Sequence, residues 1–296
     1  MNTIVKFIFL ILLAIVIQSC SNPEKNADNN TLPTDSLKNQ SKNEMVSVFY
    51  SLPSPMEMSA LIKRTGVSYS DEYLHNINDA ERYTTNKGMA LNLGIYGADL
   101  SYASFFEQHQ TSIKYLGVVK ELANNLDIIE AIKDADLKNM EDNMYNKDAL
   151  MRTMSETFFK SDAYLKENER QEIAAIIVVG GWIESLYIAL NLTDKSITKN
   201  KDLVNSIIDQ YLTLETVILL LQQYESNGDI KNILTDMQQL EPFFTKMIKE
   251  TTKEIPDKAT GKTRSVTEIV RNPTNENFLD LFNQIKSLRD KYTNQF

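Results

Sequence analysis

The stretch IAAIIVVGGWIESLYIALNL, residues 173–192, carries a single charge, that of Glu184. A second stretch, MALNLGIYGADLSYASFF at residues 89–106, has the same character, with Asp99 as its one charged residue. A helix that is apolar nearly all round belongs in the interior of a protein or in a membrane. We therefore expect two central helices, around which the rest of the chain packs.

Both stretches contain closely spaced glycines, namely Gly180 and Gly181 in residues 173–192 and Gly94 and Gly97 in residues 89–106. Glycine inside a helix costs about 1 kcal/mol relative to alanine. A compensating gain is needed, and close packing of helices is the usual one. The glycines therefore predict close packing around the two central helices.

Outside these two helices, apolar residues recur at steps of three and four, a pattern typical of amphipathic helices. Such stripes run through residues 113–126, 151–165, 203–221, 230–247 and 278–292. We expect an all-α fold, either an antiparallel helical bundle or a stack of helix hairpins, with eight or nine helices. Glycine and proline are scarce, which suits long helices.

The breaks between the stripes carry turn and cap residues. Ser226-Asn227-Gly228-Asp229 predicts a tight turn, with Asp229 as the N-cap of the next helix. Pro242 interrupts its stripe and is expected to kink or restart that helix. Residues 253–273 are the longest irregular stretch, and 264–271 within it is a candidate short strand.

The two isolated acids form the main candidate site. A carboxylate among apolar neighbours must find a partner or take up a proton. Tyr96, Tyr102 and Tyr187 are the nearest candidate partners in sequence, since Tyr102 follows Asp99 by three residues and Tyr187 follows Glu184 by three. We predict that at least one acid is buried and hydrogen-bonded to a tyrosine or a basic side chain. Such a cluster is either a structural part of the core or an internal polar pocket for a ligand.

Composition excludes several functions. The chain has 31 Lys plus Arg and 40 Asp plus Glu, a formal charge of -9, with no basic stripe, so we expect no nucleic-acid partner. Its two histidines, His75 and His109, lack the spacing that places two metal ligands on one helical face, and we predict no metal or cofactor. No nucleophile motif is present, which makes a non-enzymatic role the default expectation.

The N-terminus carries the most specific motif. MNTIVKFIFLILLAIVIQSC, residues 1–20, has one lysine, the apolar run Phe7–Ile17 and then Ile17-Gln18-Ser19-Cys20. The run is too short to span a membrane and fits a secretory signal. The last four residues resemble the lipobox of bacterial lipoproteins. That resemblance implies a diacylglycerol on the thiol of Cys20, the one cysteine of the chain, and cleavage just before it.

This motif sets the predicted domain organisation. Residues 1–19 are a lipoprotein signal peptide, 20–45 are the lipidated cysteine and a disordered polar tether, and 46–296 are the helical domain. Resemblance to lipoproteins of Gram-negative bacteria, with Ser21 after the cysteine, implies an outer-membrane protein, and we expect the domain to face the periplasm.

The stretches LNLGIYGADLSYASFFEQHQ (91–110) and ERQEIAAIIVVGGWIESLYIAL (169–190) resemble an uncharacterised family of helical lipoproteins of Gram-negative bacteria. The resemblance implies a helical fold for most of the mature chain and no known activity. Two functions remain open. One is a membrane-anchored binding or scaffold module with a protein partner in the cell envelope; the other is a lipoprotein that binds a small ligand, or an unrecognised hydrolase, with a pocket between the central helices.

Overall fold

The computed structural model describes residues 54–132, 134–143, 145–256 and 263–294. The signal peptide, Cys20 and the tether predicted for residues 1–45 lie outside the described residues. The described chain is helical apart from one pair of strands, so the predicted all-α class is confirmed.

The described residues form eleven helical segments, two short 3-10 helices and one β-hairpin. Only Asp209 separates Lys201–Ile208 from Gln210–Gln222, and these two helices counted as one bring the total to ten, close to the predicted eight or nine. The α-helices are α1 (Pro55–Arg64), α2 (Asn86–Phe105), α3 (His109–Asn125), α4 (Asp134–Asp142), α5 (Lys147–Glu167), α6 (Gln171–Leu192), α7 (Lys201–Ile208), α8 (Gln210–Gln222), α9 (Gly228–Gln238), α10 (Glu241–Thr245) and α11 (Asn275–Thr293). The 3-10 helices are Ile77–Arg82 and Ile129–Ala131, and the strands are β1 (Ile248–Pro256) and β2 (Thr263–Arg271).

The two apolar stretches form α2 and α6, which pack more extensively on each other than any other pair of helices described. By length and composition alone, α6 could cross a membrane, as could residues 201–222. However, 83% of the most apolar window of α6 is buried inside the protein. The apolar character of α6 is therefore explained by its place in the core, as the sequence predicts.

The glycines bring the backbones of α2 and α6 together. A Cβ atom added to Gly94 would lie 2.0 Å from the carbonyl oxygen of Ile177, and one added to Gly180 would lie 2.0 Å from that of Leu91. Neither helix has room for even a methyl group at these points. The predicted close packing is confirmed for this pair, whereas a Cβ on Gly97 would meet nothing within 4 Å.

The outer helices cover this pair, and consecutive helices pack on each other: α2 with α3, α4 with α5, and α8 with α9. The stripes at 230–247 and 278–292 are buried as predicted. On α3, Leu116, Ala123 and Leu126 are buried as predicted, whereas Ile113 is 45% exposed. Tyr115 and Val118 are buried as well, so the buried face includes most of the predicted stripe and Ile113 lies outside it.

Two local predictions have different outcomes. The N-cap of α9 is Asn227 and not Asp229, because the Asn227 side chain accepts hydrogen bonds from the backbone N–H groups of Asp229 and Ile230. Pro242 restarts the helix as predicted, since α9 ends at Gln238 and α10 has the proline in its first turn.

The predicted strand at 264–271 is present within β2, and it pairs antiparallel with β1, which the sequence did not predict. The pairing runs from Ile248 opposite Arg271 to Pro256 opposite Thr263. Lys249 and Glu250, next to each other on β1, are both exposed, so neither face of the strand follows a buried-and-exposed alternation. Without that alternation β1 carries no strand pattern.

Candidate functional site

Asp99 of α2 and Glu184 of α6 face each other in the interior, and both residues are 0% exposed. One carboxylate oxygen of Asp99, Oδ2, accepts the backbone N–H of His75 at 3.1 Å. The other, Oδ1, is buried and has no donor among the described residues. Burial, and then the negative charge of Glu184, raise the pKa of Asp99 well above its usual value. Both effects disfavour ionisation of Asp99.

Glu184 is paired with Arg289 of α11. The guanidinium donates from Nε to Oε2 at 2.7 Å and from Nη2 to Oε1 at 2.9 Å, a two-pronged contact. The side chain of Arg289 is 11% exposed, and its guanidinium lies 4.3 Å from the ring centroid of Tyr187. The buried pair of acids is thus met by one guanidinium, which contacts both oxygens of Glu184. The prediction that at least one acid is buried and bonded to a basic side chain is confirmed.

The predicted tyrosine partners have other roles. The hydroxyl of Tyr96 donates to the carbonyl of Asn76 at 2.8 Å, and that of Tyr102 accepts the backbone N–H of Ser70 at 3.1 Å. The ring of Tyr187 packs against the guanidinium of Arg289. In the described structure, no hydrogen bond joins the hydroxyl of any of the three tyrosines to either acid. A tyrosine hydroxyl reaches much farther from its helix than an aspartate carboxyl does. The hydroxyls of Tyr96 and Tyr102 therefore contact the segment that precedes α2, at Asn76 and Ser70.

Several members of the cluster were missed by the sequence reasoning. Tyr115 donates to the carbonyl of His75 at 2.6 Å, and the ring Nε2 of His75 lies 2.7 Å from the hydroxyl of Tyr83. Tyr83 in turn donates to the carbonyl of Thr293 at 3.1 Å. Burial lowers the pKa of His75 to about 4, so its ring is neutral near pH 7.

Arg289 was also missed, and it is the one missed member of the cluster that had a usable sequence signal. Arg289 follows Ile285 by four residues, which places it beside the buried stripe of α11. His75 lies between helices, where no periodicity marks it as buried. The cluster therefore joins α2, α6, α11 and the segment before α2 through groups that the sequence does not relate to one another.

The chemistry of this cluster is that of a structural clamp. Its acids are fully buried, and no group of three or more His, Cys, Asp and Glu side chains in the described part of the chain is placed to hold a metal ion. A buried ion pair that loses one partner leaves an uncompensated charge, which costs about 3–5 kcal/mol. The arrangement therefore fixes the central helices relative to α11.

A cavity of about 140 Å³ lies among α2 to α6. Its lining is almost wholly apolar and includes Leu93, Gly97, Leu100, Leu116, Val119, Leu137, Met140, Met154, Phe158, Leu165, Ala174 and Ile177. Neither Asp99 nor Glu184 is among the lining residues. The polar pocket expected around Asp99 and Glu184 does not coincide with this cavity. The lining includes Lys120 and Asp162 but is mostly apolar, so an apolar molecule can be held there by burial.

Gly97 accounts for part of this space. It lies three residues from Gly94 on α2, lines the cavity, and has nothing within 4 Å of the position that a Cβ would take. Gly94 allows α2 and α6 to come into contact, whereas Gly97 leaves part of the cavity unfilled.

No family model, no curated protein and no solved structure matches this chain.

Proposed function

We propose that this protein is a lipid-anchored binding module of the bacterial cell envelope, and that its helical domain holds a small apolar ligand in the cavity beside Gly97. The lipobox-like Ile17-Gln18-Ser19-Cys20 and the polar segment after it support the anchor. The observation that carries the binding role is the apolar cavity among α2 to α6.

Size and energetics support this choice of ligand. A cavity of about 150 Å³ lined by Leu, Ile and Phe stays dry and binds benzene in another protein, and the present cavity measures about 140 Å³. The cavity is partly open to solvent. A ligand would therefore gain free energy by covering its apolar lining, at about 25 cal/mol for each Å² removed from water.

The test fills the cavity from Gly97. Gly97→Leu should abolish binding of toluene to the chain produced from Ser21 onward, measured by isothermal titration calorimetry. Gly117→Leu is the matched control, because Gly117 is also helical, has nothing within 4 Å of its added Cβ, and does not line the cavity. Absence of toluene binding to the unaltered chain, or equal binding by the two variants, would contradict the proposal.

A second candidate function is contact with another protein of the envelope. Leu212 and Leu219 are seven residues apart on α8 and therefore share a face, and both are exposed. Exposed leucines in such an arrangement are a feature of protein contact surfaces. Crosslinking in cells followed by purification tests this role, and consistent recovery of the protein alone would count against it.

A further inference from the structure

Resting on the proposed function, we infer that the ligand of the cavity carries a carboxylate, and that the ammonium group of Lys120 binds this carboxylate where the cavity meets solvent. The cavity is partly open, so its ligand need not be apolar at every point. A molecule with an apolar end and an anionic end can place the first among the lining side chains and the second at the mouth. The ligand is thus expected to be amphipathic, with an apolar part of about the size of benzene.

Lys120, on α3, marks the mouth of the cavity. Among the lining residues in the described part of the chain it is the one that is exposed, and the others are buried or half-buried. A lysine side chain lays its carbon stem along apolar surface and keeps its charged end in water. In that arrangement the stem of Lys120 forms part of the wall, and its ammonium group lies at the entrance.

The charge of Lys120 is available to a ligand. Within the described structure, no ion pair or hydrogen bond joins its ammonium group to another residue. The other charged residue of the lining, Asp162, is already paired, because its carboxylate lies 2.5 Å from Nζ of Lys166 and its side chain is 3% exposed. The cavity therefore combines a mostly apolar wall with one cation that has no counter-charge in the described residues.

This combination favours a carboxylate over other polar groups. An ammonium group on the ligand would be repelled by Lys120, and an uncharged group would gain little from it. One lysine balances one negative charge, which suits a carboxylate better than a phosphate that carries nearly two. Carboxyl groups have a pKa of about 4 in water, so the ligand is ionised at neutral pH and accepts a charge-assisted hydrogen bond.

The probes are 3-phenylpropanoate and 3-phenylpropanamide, which share a phenyl group and a spacer and differ in the charge of the terminal group. Both are titrated by calorimetry into the chain produced from Ser21 onward, at pH 7 and physiological salt, with toluene as the apolar reference. The carboxylate should bind up to about fivefold more tightly than the amide, because an exposed ion pair contributes up to about 1 kcal/mol.

Two variants test Lys120 itself. Lys120→Met keeps an unbranched apolar stem and removes the charge, so the carboxylate and the amide should bind equally well. Lys120→Glu reverses the charge, so the amide should bind more tightly than the carboxylate. Methionine and glutamate are good helix formers and the position is exposed, so both variants should fold.

Lys114→Glu is the matched control. Lys114 is an exposed lysine of the same helix and does not line the cavity. It lies six residues from Lys120, about 9 Å along the helix and about one Debye length at physiological salt. Lys114→Glu makes the same change in net charge, so it should leave the preference for the carboxylate largely in place.

The outcomes separate this inference from the function on which it rests. If toluene binds but the carboxylate is not preferred to the amide, or if Lys120→Glu and Lys114→Glu change their ratio equally, the role of Lys120 is wrong and the apolar site stands. If none of the three probes binds to the unaltered chain, the proposed function is wrong, and the inference fails with it.

Discussion

At Asp99, burial and a neighbouring negative charge act in the same direction, because both disfavour ionisation. Arg289 and the N–H of His75 oppose them. A proton on Asp99 would leave the buried group made of Asp99, Glu184 and Arg289 without net charge, which is the state that burial favours.

The first prediction concerns the pH dependence of Asp99. Its folded pKa is raised above the ordinary value of 3.8, so above that pH the unfolded chain loses a proton that the folded protein keeps. Stability therefore falls as pH rises from 3.8 towards the raised pKa, by up to about 1.4 kcal/mol per pH unit. Asp99→Asn does not titrate, so its free energy of unfolding should improve relative to wild type as pH rises from 5 to 8.

Urea unfolding at several pH values measures this difference. His75 acts in the opposite sense: its folded pKa is about 4 and its ordinary value is 6.5, so it adds stability as pH rises between these values. The comparison of wild type with variant isolates the contribution of Asp99. Asp202→Asn on the exposed face of α7 controls for loss of an acid. Parallel curves for wild type and Asp99→Asn would show that Asp99 is not protonated in the folded protein.

At the scale of single residues, the sequence predicted which side chains are buried better than it predicted which groups they contact. Asp99 and Glu184 lie in apolar stretches, so burial of their helices implied burial of the acids. Arg289 is 105 residues from Glu184, and no local pattern joins two positions so far apart. Such partners depend on how helices are arranged, which periodicity does not specify.

Among the helices, α2 shows two uses of glycine within one turn. Gly94 lets the backbone of α6 approach, while Gly97 opens onto the cavity. The sequence shows both as glycine in an apolar helix and predicts close packing for both. The two glycines differ in the direction that each Cα faces. Gly94 faces the backbone of α6, whereas Gly97 faces the cavity.

The second prediction compares these glycines. Gly94→Ala should destabilise the protein by at least about 1–3 kcal/mol, because its Cβ would meet backbone oxygen and not a movable side chain. Gly97→Ala should stabilise it by up to about 1 kcal/mol through the better helix propensity of alanine. Urea unfolding of both variants measures the effects. Equal changes of the same sign would contradict the packing described.

The strength of the periodic pattern decides which elements were predictable. The stripes of α9 and α11 are buried on one face and were assigned correctly. In the hairpin, β2 was identified as a strand through residues 264–271, while β1 was not. Exposed residues on both faces remove the alternation from β1, so its pairing with β2 is a tertiary property.

At the scale of the whole molecule, the C-terminal helix α11 connects parts of the chain that are distant in sequence. α11 contributes Arg289 to the buried clamp, and the carbonyl of Thr293 accepts a hydrogen bond from Tyr83, 210 residues earlier. The described end of the chain is thereby tied to the segment before α2 and to both central helices. These contacts lie within residues 54–294, so the fold described does not draw on residues 1–45 for them.

The third prediction concerns the lipid anchor, which is predicted outside the residues that make these contacts. Cys20→Ser should abolish lipid attachment, because the thiol is the group that the lipobox resemblance implies is alkylated, and the circular dichroism of the protein should stay predominantly helical. Mass spectrometry of the mature N-terminus and fractionation of cells measure the two effects.

Ser21→Ala, which leaves Ile17-Gln18-Ser19-Cys20 intact, is the matched control and should keep the lipid and the membrane location. Since several acyl chains anchor a protein stably where one does not, loss of the lipid should release the variant from the membrane or leave it with an uncleaved signal. An unmodified wild-type terminus that begins at another residue would contradict the anchor, and it would leave the apolar cavity to be explained in a protein that is not tethered.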